Sequence, residues 1–122
     1  MPNTPSFDRG DVVLATLPFS DLSGIKKRPA VVVSTSHPSV DCFLLPLTSQ
    51  LSNLQPGEFA LVDWKSAGLL YPSVVKRGLF TMDQSCISRR LGRLAAEDLK
   101  KMDTALRRWL GRARPRRSSA AA

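Results

Sequence analysis

The chain of 122 residues is poor in the side chains that build metal sites and acid–base pairs. It has one histidine and two cysteines, and neither Cys42 nor Cys86 belongs to a C-x-x-C motif. This count excludes a disulfide framework and a cysteine-rich zinc site. The lone His37, in a turn-like Ser-His-Pro stretch, excludes a two-histidine acid–base pair. We therefore expect two buried free thiols, a solvated His37, no metal and no cofactor.

The sequence also lacks a long hydrophobic run. No apolar stretch reaches the length needed to span a bilayer. Residues 1–7 are polar and proline-rich, whereas a secretory signal would be basic and then apolar. We expect a soluble, cytoplasmic protein that binds no membrane. Its length suits one domain with a modest hydrophobic core.

Basic residues are in excess, but they are unevenly placed. The formal net charge is +8, with 18 basic and 10 acidic residues, and such a charge invites binding to nucleic acid. Six of the arginines lie between residues 107 and 117, which leaves 12 basic against 10 acidic residues over 1–106. The body of the chain must therefore be judged from its motifs and not from its charge.

Five apolar segments rich in β-branched residues predict strands. They cover residues 11–17, 30–34, 42–47, 59–62 and 73–81, the last with Gly78 as a bulge. A polar connection over 19–28 separates the first two, and Pro29 opens the second strand, where a proline is tolerated.

The end of the chain changes to helical periodicity. Apolar residues recur there at three- and four-residue steps and give one apolar face: Leu99, Met102, Ala105, Leu106, Trp109 and Leu110. Glu97 and Asp98 suit the first turn and the arginines at 107 and 108 the last, because the helix dipole favours anions and cations at those ends. Gly111 suits the residue after the helix, while no Ser, Thr or Asp occupies the expected N-cap.

Several short strands followed by one helix predict an α+β fold. We expect a small, strongly curved antiparallel sheet or barrel with a C-terminal α-helix packed against it. This pattern alone gives no function.

Three segments, taken in their order along the chain, carry a resemblance to a known family. Residues 9–14 read Arg-Gly-Asp-Val-Val-Leu, residues 27–34 read Lys-Arg-Pro-Ala-Val-Val-Val-Ser, and residues 45–49 read Leu-Pro-Leu-Thr-Ser. In this order and spacing the chain resembles the MazF/PemK family of toxin–antitoxin ribonucleases. Residues 72–76, residues 91–94 and the final helix extend the resemblance to residue 111.

The resemblance implies a fold, an activity and partners. It implies an SH3-like barrel over 9–111, preceded by a flexible N-terminus over 1–8 and followed by a basic tail over 112–122, whose composition predicts disorder. It also implies a type II toxin that works as a homodimer and is neutralised by a cognate antitoxin protein. Such a toxin cleaves single-stranded RNA, including mRNA, in a groove near the dimer interface.

The resemblance further implies that the reaction depends on Arg28 and Thr48. Cleavage by the RNA's own 2′-hydroxyl requires proton transfer and stabilisation of negative charge on the phosphoryl oxygens, without a metal ion. Arg28 offers a planar, permanently charged fork that can hold two phosphate oxygens, and Thr48 offers a hydroxyl donor. The resemblance implicates the arginine itself in acid–base work.

Further residues are predicted to contact the RNA: Ser23, Lys26, Lys27, Ser49, Gln50 and Lys76. The lysines suit phosphates, whereas Ser49 and Gln50 suit base edges, which are exposed in a single strand. Ser23 stands five positions before Arg28, where many family members carry an acidic residue.

Each assignment has a structural alternative. Arg28 could cap a loop beside Pro29, Thr48 could bond its own backbone in a turn, and the lysines could form a solvated loop face. Met102 and Trp109 are expected in core or dimer packing. Two other functions stay open, namely a CcdB-like topoisomerase (gyrase) poison without enzymatic activity and a non-cleaving nucleic-acid-binding module.

Overall fold

A computed structural model describes residues 7–18, 25–35 and 41–111, with the side chains of residues 18, 25 and 26 outside the description. The predictions for Ser23, His37, residues 1–6 and the tail over 112–122 therefore lie outside the described residues. The described chain forms seven strands and one α-helix: β1 (Asp11–Pro18), β2 (Ile25–Val32), β3 (Asp41–Thr48), β4 (Phe59–Ala60), β5 (Val74–Val75), β6 (Phe80–Asp83), β7 (Ile87–Arg93) and α1 (Ala96–Leu110).

The strands form one antiparallel sheet in the order β4-β5-β3-β2-β1-β7, and β6 also pairs with β3. The predicted antiparallel sheet with a C-terminal helix is confirmed. Among the described residues, β4 and β7 at the two ends of this order do not pair with each other. The hydrogen-bonded sheet is therefore open.

Successive side chains along a strand point to opposite faces of the sheet. Each face of this sheet carries its own cluster of buried residues. One face packs with α1 and includes Val12, Val31 and Leu45 together with Met102 and Leu106 of the helix. The opposite face forms a second core cluster, with these members: Val13, Ala15, Leu17, Ala30, Val32, Cys42 and Leu44. Each strand of the sheet centre thus contributes to two cores.

Helix α1 agrees with its prediction at both ends. Glu97 and Asp98 lie in its first turn, no side chain caps its start, and Gly111 ends it with φ 69°. The buried Asp98 was unexpected: its carboxylate accepts hydrogen bonds from the backbone N–H groups of Val62 (2.8 Å) and Asp63 (3.0 Å). In the described part of the chain, no helix is long and apolar enough to cross a membrane.

Several predicted strand boundaries were wrong for identifiable reasons. β2 begins at Ile25, within the predicted polar connection, because pairing with β1 continues to its end. β4 ends at Ala60. The next two amides donate elsewhere, that of Leu61 to the Ser73 carbonyl and that of Val62 to the Asp98 carboxylate.

The predicted fifth strand is two strands, β5 and β6, which pair with different parts of β3. The interruption lies opposite Pro46, which has no N–H to donate; its carbonyl accepts the Lys76 amide at 3.0 Å. Strand β7, at one end of the strand order, was not predicted from the sequence because its residues are mostly polar.

The cysteines match their prediction only in part. Cys42 is a buried free thiol, and burial raises its pKa. Cys86 is also free but half-buried, so the expectation that both thiols are buried was wrong. Met102 is buried in the core and Trp109 packs against it, as predicted.

Candidate functional site

Arg28 and Thr48 lie just beyond the last residue pair of the ladder between β2 and β3. That ladder ends with Ala30 opposite Pro46; Arg28 precedes Ala30 by two residues, and Thr48 follows Pro46 by two as the last residue of β3. The side chain of Arg28 is exposed and that of Thr48 is half-buried. Both residues line the same two cavities.

The first cavity has a volume of about 800 Å³. Its lining combines cations with small polar side chains and a few apolar residues: Arg28, Pro46, Leu47, Thr48, Gln50, Ser52, Lys76, Arg77, Gly78 and Phe80. The second cavity, of about 500 Å³, has a larger apolar share: Leu14, Arg28, Pro29, Leu47, Thr48, Ser49, Gly68, Leu69, Leu70, Tyr71, Ser73, Arg89 and Leu91.

The Thr48 hydroxyl takes part in a turn. Its Oγ1 accepts a hydrogen bond from the Gln50 N–H at 3.1 Å, which is the local bond expected of a threonine after a strand. A hydroxyl can accept and donate at the same time. The turn therefore orients Thr48 while leaving its O–H hydrogen for an acceptor in the cavity.

Lys76 lines the first cavity and forms an ion pair with Glu58. Its Nζ lies 2.8 Å from Oε1 of Glu58, whose side chain is 2% exposed. The Glu58 carboxylate also accepts the amides of Gln55 (2.8 Å) and Arg77 (2.9 Å). Burial acts to raise the pKa of Glu58, but the bonds from Lys76 and the two amides outweigh it and lower the pKa. Glu58 thus fixes the segment that carries Lys76 and Arg77.

The other predicted contact residues are distributed unevenly. Gln50 lines the first cavity and Ser49 the second. Lys27 is exposed on β2, opposite Thr16 of β1, and does not line either cavity. The backbone of Lys26 belongs to β2, but its side chain is outside the described part of the structure. All of Ser23 is outside it as well.

Arg77, Tyr71 and Arg89 are among the lining residues that were not predicted from the sequence. Arg77 adds a cation to the first cavity, and Tyr71 and Arg89 form part of the second. Tyr71 is the chain's only tyrosine and lies between Leu70 and Pro72, a sign of an exposed aromatic at a turn. Nothing in the local sequence of Arg89 separates it from its neighbour Arg90.

The two linings are cationic. Both contain Arg28, the first adds Lys76 and Arg77, the second adds Arg89, and neither includes a carboxylate among the described residues. The described chain has no group of three His, Cys, Asp or Glu residues placed to hold a metal ion. Several cations beside hydroxyl and amide groups are suited to binding a chain of phosphates.

A comparison with protein-family models identifies one family. The model described as the PemK-like, MazF-like toxin of type II toxin–antitoxin systems matches residues 8–110. That range contains every described residue that lines the two cavities. A comparison with curated proteins gives no match.

Solved structures share the fold at low sequence identity. An endoribonuclease in complex with its cognate antitoxin, from a mycobacterial species, is 23% identical, with a TM-score of 0.69 over 90% of this chain and 100% of that chain. The Mycobacterium tuberculosis toxin MazF-mt6 is 21% identical, with a TM-score of 0.68 over 85% and 99%. A MazE–MazF structure from Deinococcus radiodurans is 20% identical, with a TM-score of 0.69 over 90% and 100%.

Proposed function

The chain belongs to the PemK-like, MazF-like toxin family of type II toxin–antitoxin systems, and from this premise we propose that it is a sequence-specific endoribonuclease. Its substrate is single-stranded RNA, including mRNA, and its cleavage arrests translation and growth. The observation that carries the proposal is the position of Arg28 and Thr48 at the edge shared by two cation-lined cavities.

The proposed reaction uses the RNA's own 2′-hydroxyl. Its oxygen attacks the adjacent phosphorus as the hydroxyl proton is removed, and the bond from phosphorus to the 5′-oxygen of the next nucleotide breaks. That 5′-oxygen gains a proton. The products are a 2′,3′-cyclic phosphate and a 5′-hydroxyl, and the scheme requires no metal ion.

Arg28 and Thr48 stabilise the charge that develops on the phosphoryl oxygens. The guanidinium of Arg28 can donate to two oxygens at once, and Thr48, already oriented by the Gln50 amide, can donate its O–H to one of them. Donors fixed in advance act most strongly in a partly water-excluded site. Lys76 and Arg77 bind further phosphates, and Ser49 and Gln50, which line different cavities, contact bases.

Purified protein incubated with a long RNA in excess EDTA tests this proposal. We expect discrete fragments with 5′-hydroxyl and cyclic or 3′-phosphate ends. A mobility shift without fragments would indicate a non-cleaving nucleic-acid-binding module, and no effect on RNA would favour a topoisomerase poison. Cleavage that stops on chelation and returns with Mg²⁺ would contradict metal-free chemistry.

A cognate antitoxin is the second proposed partner. The family name implies one, and structures with the same fold have been solved with their antitoxins. An acidic segment with apolar anchors suits the cationic cavities by charge complementarity. We expect antitoxin and a non-cleavable RNA to exclude each other; equal RNA affinity of the free toxin and the complex would contradict this.

A homodimer is proposed from an exposed apolar patch on the described chain. Phe43, Leu79 and Leu110 are 45%, 48% and 70% exposed and line one cavity with Leu106. Arg77 and Gly78 line the first cavity and also a neighbouring hollow with Leu79 and Leu110. A partner seated on the patch would therefore bring the two active sites close together.

Light scattering tests the dimer. Wild-type protein should show a dimer mass at micromolar concentration, and Leu79→Asp should lower it. Val62→Asp is the matched control, because Val62 is 56% exposed and lies outside the patch. A monomeric wild type, or equal dimerisation of both variants, would contradict this interface.

We also propose that the open sheet has the shape of an SH3-like barrel and that the protein acts in the cytoplasm. The loop after β4 approaches β7 closely: a Cβ on Gly68 would lie 2.0 Å from the Leu91 carbonyl oxygen. This contact between the two ends of the strand order supports an SH3-like barrel in shape. A toxin that cleaves mRNA is expected in the cytoplasm.

A further inference from the structure

The second cavity combines an apolar lining with several polar or aromatic residues. Its buried or half-buried apolar residues are Leu14, Pro29, Leu47, Leu69 and Leu91. The polar or aromatic residues of the lining include Arg28, Thr48, Ser49, Tyr71 and Arg89. A hollow of this size, largely apolar with a few polar groups at its edge, is typical of sites that bind small organic groups.

Strand register builds one side of this cavity. Leu14 of β1 lies opposite Pro29 of β2 and opposite Arg89 of β7. The three side chains therefore form a row on one face of the sheet. Leu91 lies at a register shift between β1 and β7 and lines the same cavity. Arg89 thus lies beside Leu14 and Pro29 in the wall of this cavity.

Tyr71 is carried by a loop whose backbone is fixed on several sides. Gly68 has φ +80°, and its backbone lies directly on Leu91 of β7. The Ser73 hydroxyl donates to the Tyr71 carbonyl at 2.9 Å. The Tyr71 residue is nonetheless 66% exposed, so its ring is available to a ligand at little conformational cost.

We propose that the second cavity binds a nucleobase of the RNA adjacent to the cleaved phosphate, with Tyr71 as the stacking surface and Arg89 on a neighbouring wall. Bases of single-stranded nucleic acid stack on aromatic rings and on guanidinium planes. This inference rests on the proposed ribonuclease function and makes Tyr71 and Arg89 specificity-determining residues.

The shared residues determine which part of the RNA reaches this cavity. A phosphate held by Arg28 and Thr48 carries a nucleoside on each side, and both cavities open at these residues. The first cavity adds the cations Lys76 and Arg77 and suits the phosphate backbone. The second, with a largely apolar lining and the Tyr71 ring, suits a base. An apolar anchor of an antitoxin peptide is the competing occupant.

A double-mutant cycle between protein and RNA tests the proposal. The substrate is a short oligonucleotide around a cleavage site mapped in a long RNA, together with versions in which single bases flanking the cut are replaced by abasic ribose. We expect Tyr71→Ala to lower kcat/KM on the intact oligonucleotide roughly 5- to 100-fold. Tyr71→Phe should keep kcat/KM close to wild type.

The decisive comparison uses the abasic oligonucleotides. At one flanking position, wild type and Tyr71→Ala should become equally fast, because the base that Tyr71 contacts is missing. Arg89→Ala should couple to the same base. Leu54→Ala, at an exposed residue outside the cavity, and Arg107→Ala, at an exposed residue of α1, are matched controls and should leave the rates unchanged.

The other outcomes overturn the proposal in different ways. An equal loss on every abasic oligonucleotide would show that Tyr71 acts only through the fold. Unchanged cleavage with lost antitoxin capture would identify the cavity as a peptide site. If wild-type protein cleaves no RNA at all, the proposed function fails and this inference falls with it.

Discussion

The two cavities beside Arg28 and Thr48 share these residues but are organised by different means. The first takes its further cations from the segment after β5, which the buried Glu58 carboxylate holds through Lys76 and the Arg77 amide. The second takes its walls from strand register and from the contact of Gly68 with Leu91. In the proposed function, the charge of the first cavity binds the RNA backbone and the shape of the second cavity selects a base.

The largest expected effect comes from disabling the residues that both cavities share. Arg28→Ala and Thr48→Ala should each slow cleavage of a mapped oligonucleotide by about a hundredfold or more, since donors to the transition-state phosphoryl group contribute ~3 kcal/mol. Arg28→Lys should fail as well, because a single ammonium cannot reproduce the bidentate fork. A folded Arg28→Ala protein with near-normal rates would refute the assignment.

The sequence predicted the shared pair but not its surroundings. Motifs in a fixed order along the chain led to Arg28 and Thr48, apolar runs predicted β1 and β3, and helical periodicity predicted α1. The second cavity escaped prediction because Leu14, Tyr71 and Arg89 come together only through the pairing of β1 with β7 and the packing of a loop. The structural roles of Glu58 and Asp98 were not predictable, because an isolated carboxylate in a sequence looks the same whether it is solvated or accepts hydrogen bonds from buried amides.

A second prediction concerns the support of the first cavity. Glu58→Gln should destabilise the fold by about 1–3 kcal/mol at pH 7, because it removes the charge that faces Lys76 and weakens bonds to two amides. Urea unfolding measures this. Glu97→Gln, at an exposed acid of the first helical turn, is the control and should cost less than about 1 kcal/mol.

The pH dependence of this variant has a defined sign. The pKa of Glu58 is lowered in the folded protein, so its stabilising contribution is complete above the ordinary glutamate pKa of about 4.3. It is lost as the pH falls through the lowered pKa. The stability difference between wild type and Glu58→Gln should therefore shrink in acid, and a difference that grows in acid would contradict the assignment.

A smaller effect separates the two cations of the first cavity. With a non-cleavable RNA, Arg77→Gln should flatten the slope of log K against log salt by ~0.7, the value for one phosphate contact in a single strand. Lys76→Gln should flatten it less, because Glu58 already neutralises that ammonium. Equal changes would show that Lys76 leaves Glu58 to bind phosphate.

In the proposed reaction the RNA's own 2′-hydroxyl attacks the phosphate held by Arg28 and Thr48. One substitution in the substrate tests it most directly: a single 2′-deoxy nucleotide on the 5′ side of a mapped cut. We predict that wild-type protein binds this oligonucleotide with nearly unchanged affinity but does not cleave it at that bond, in EDTA or in Mg²⁺. Cleavage at the deoxy position would show that another nucleophile acts, and would contradict the account.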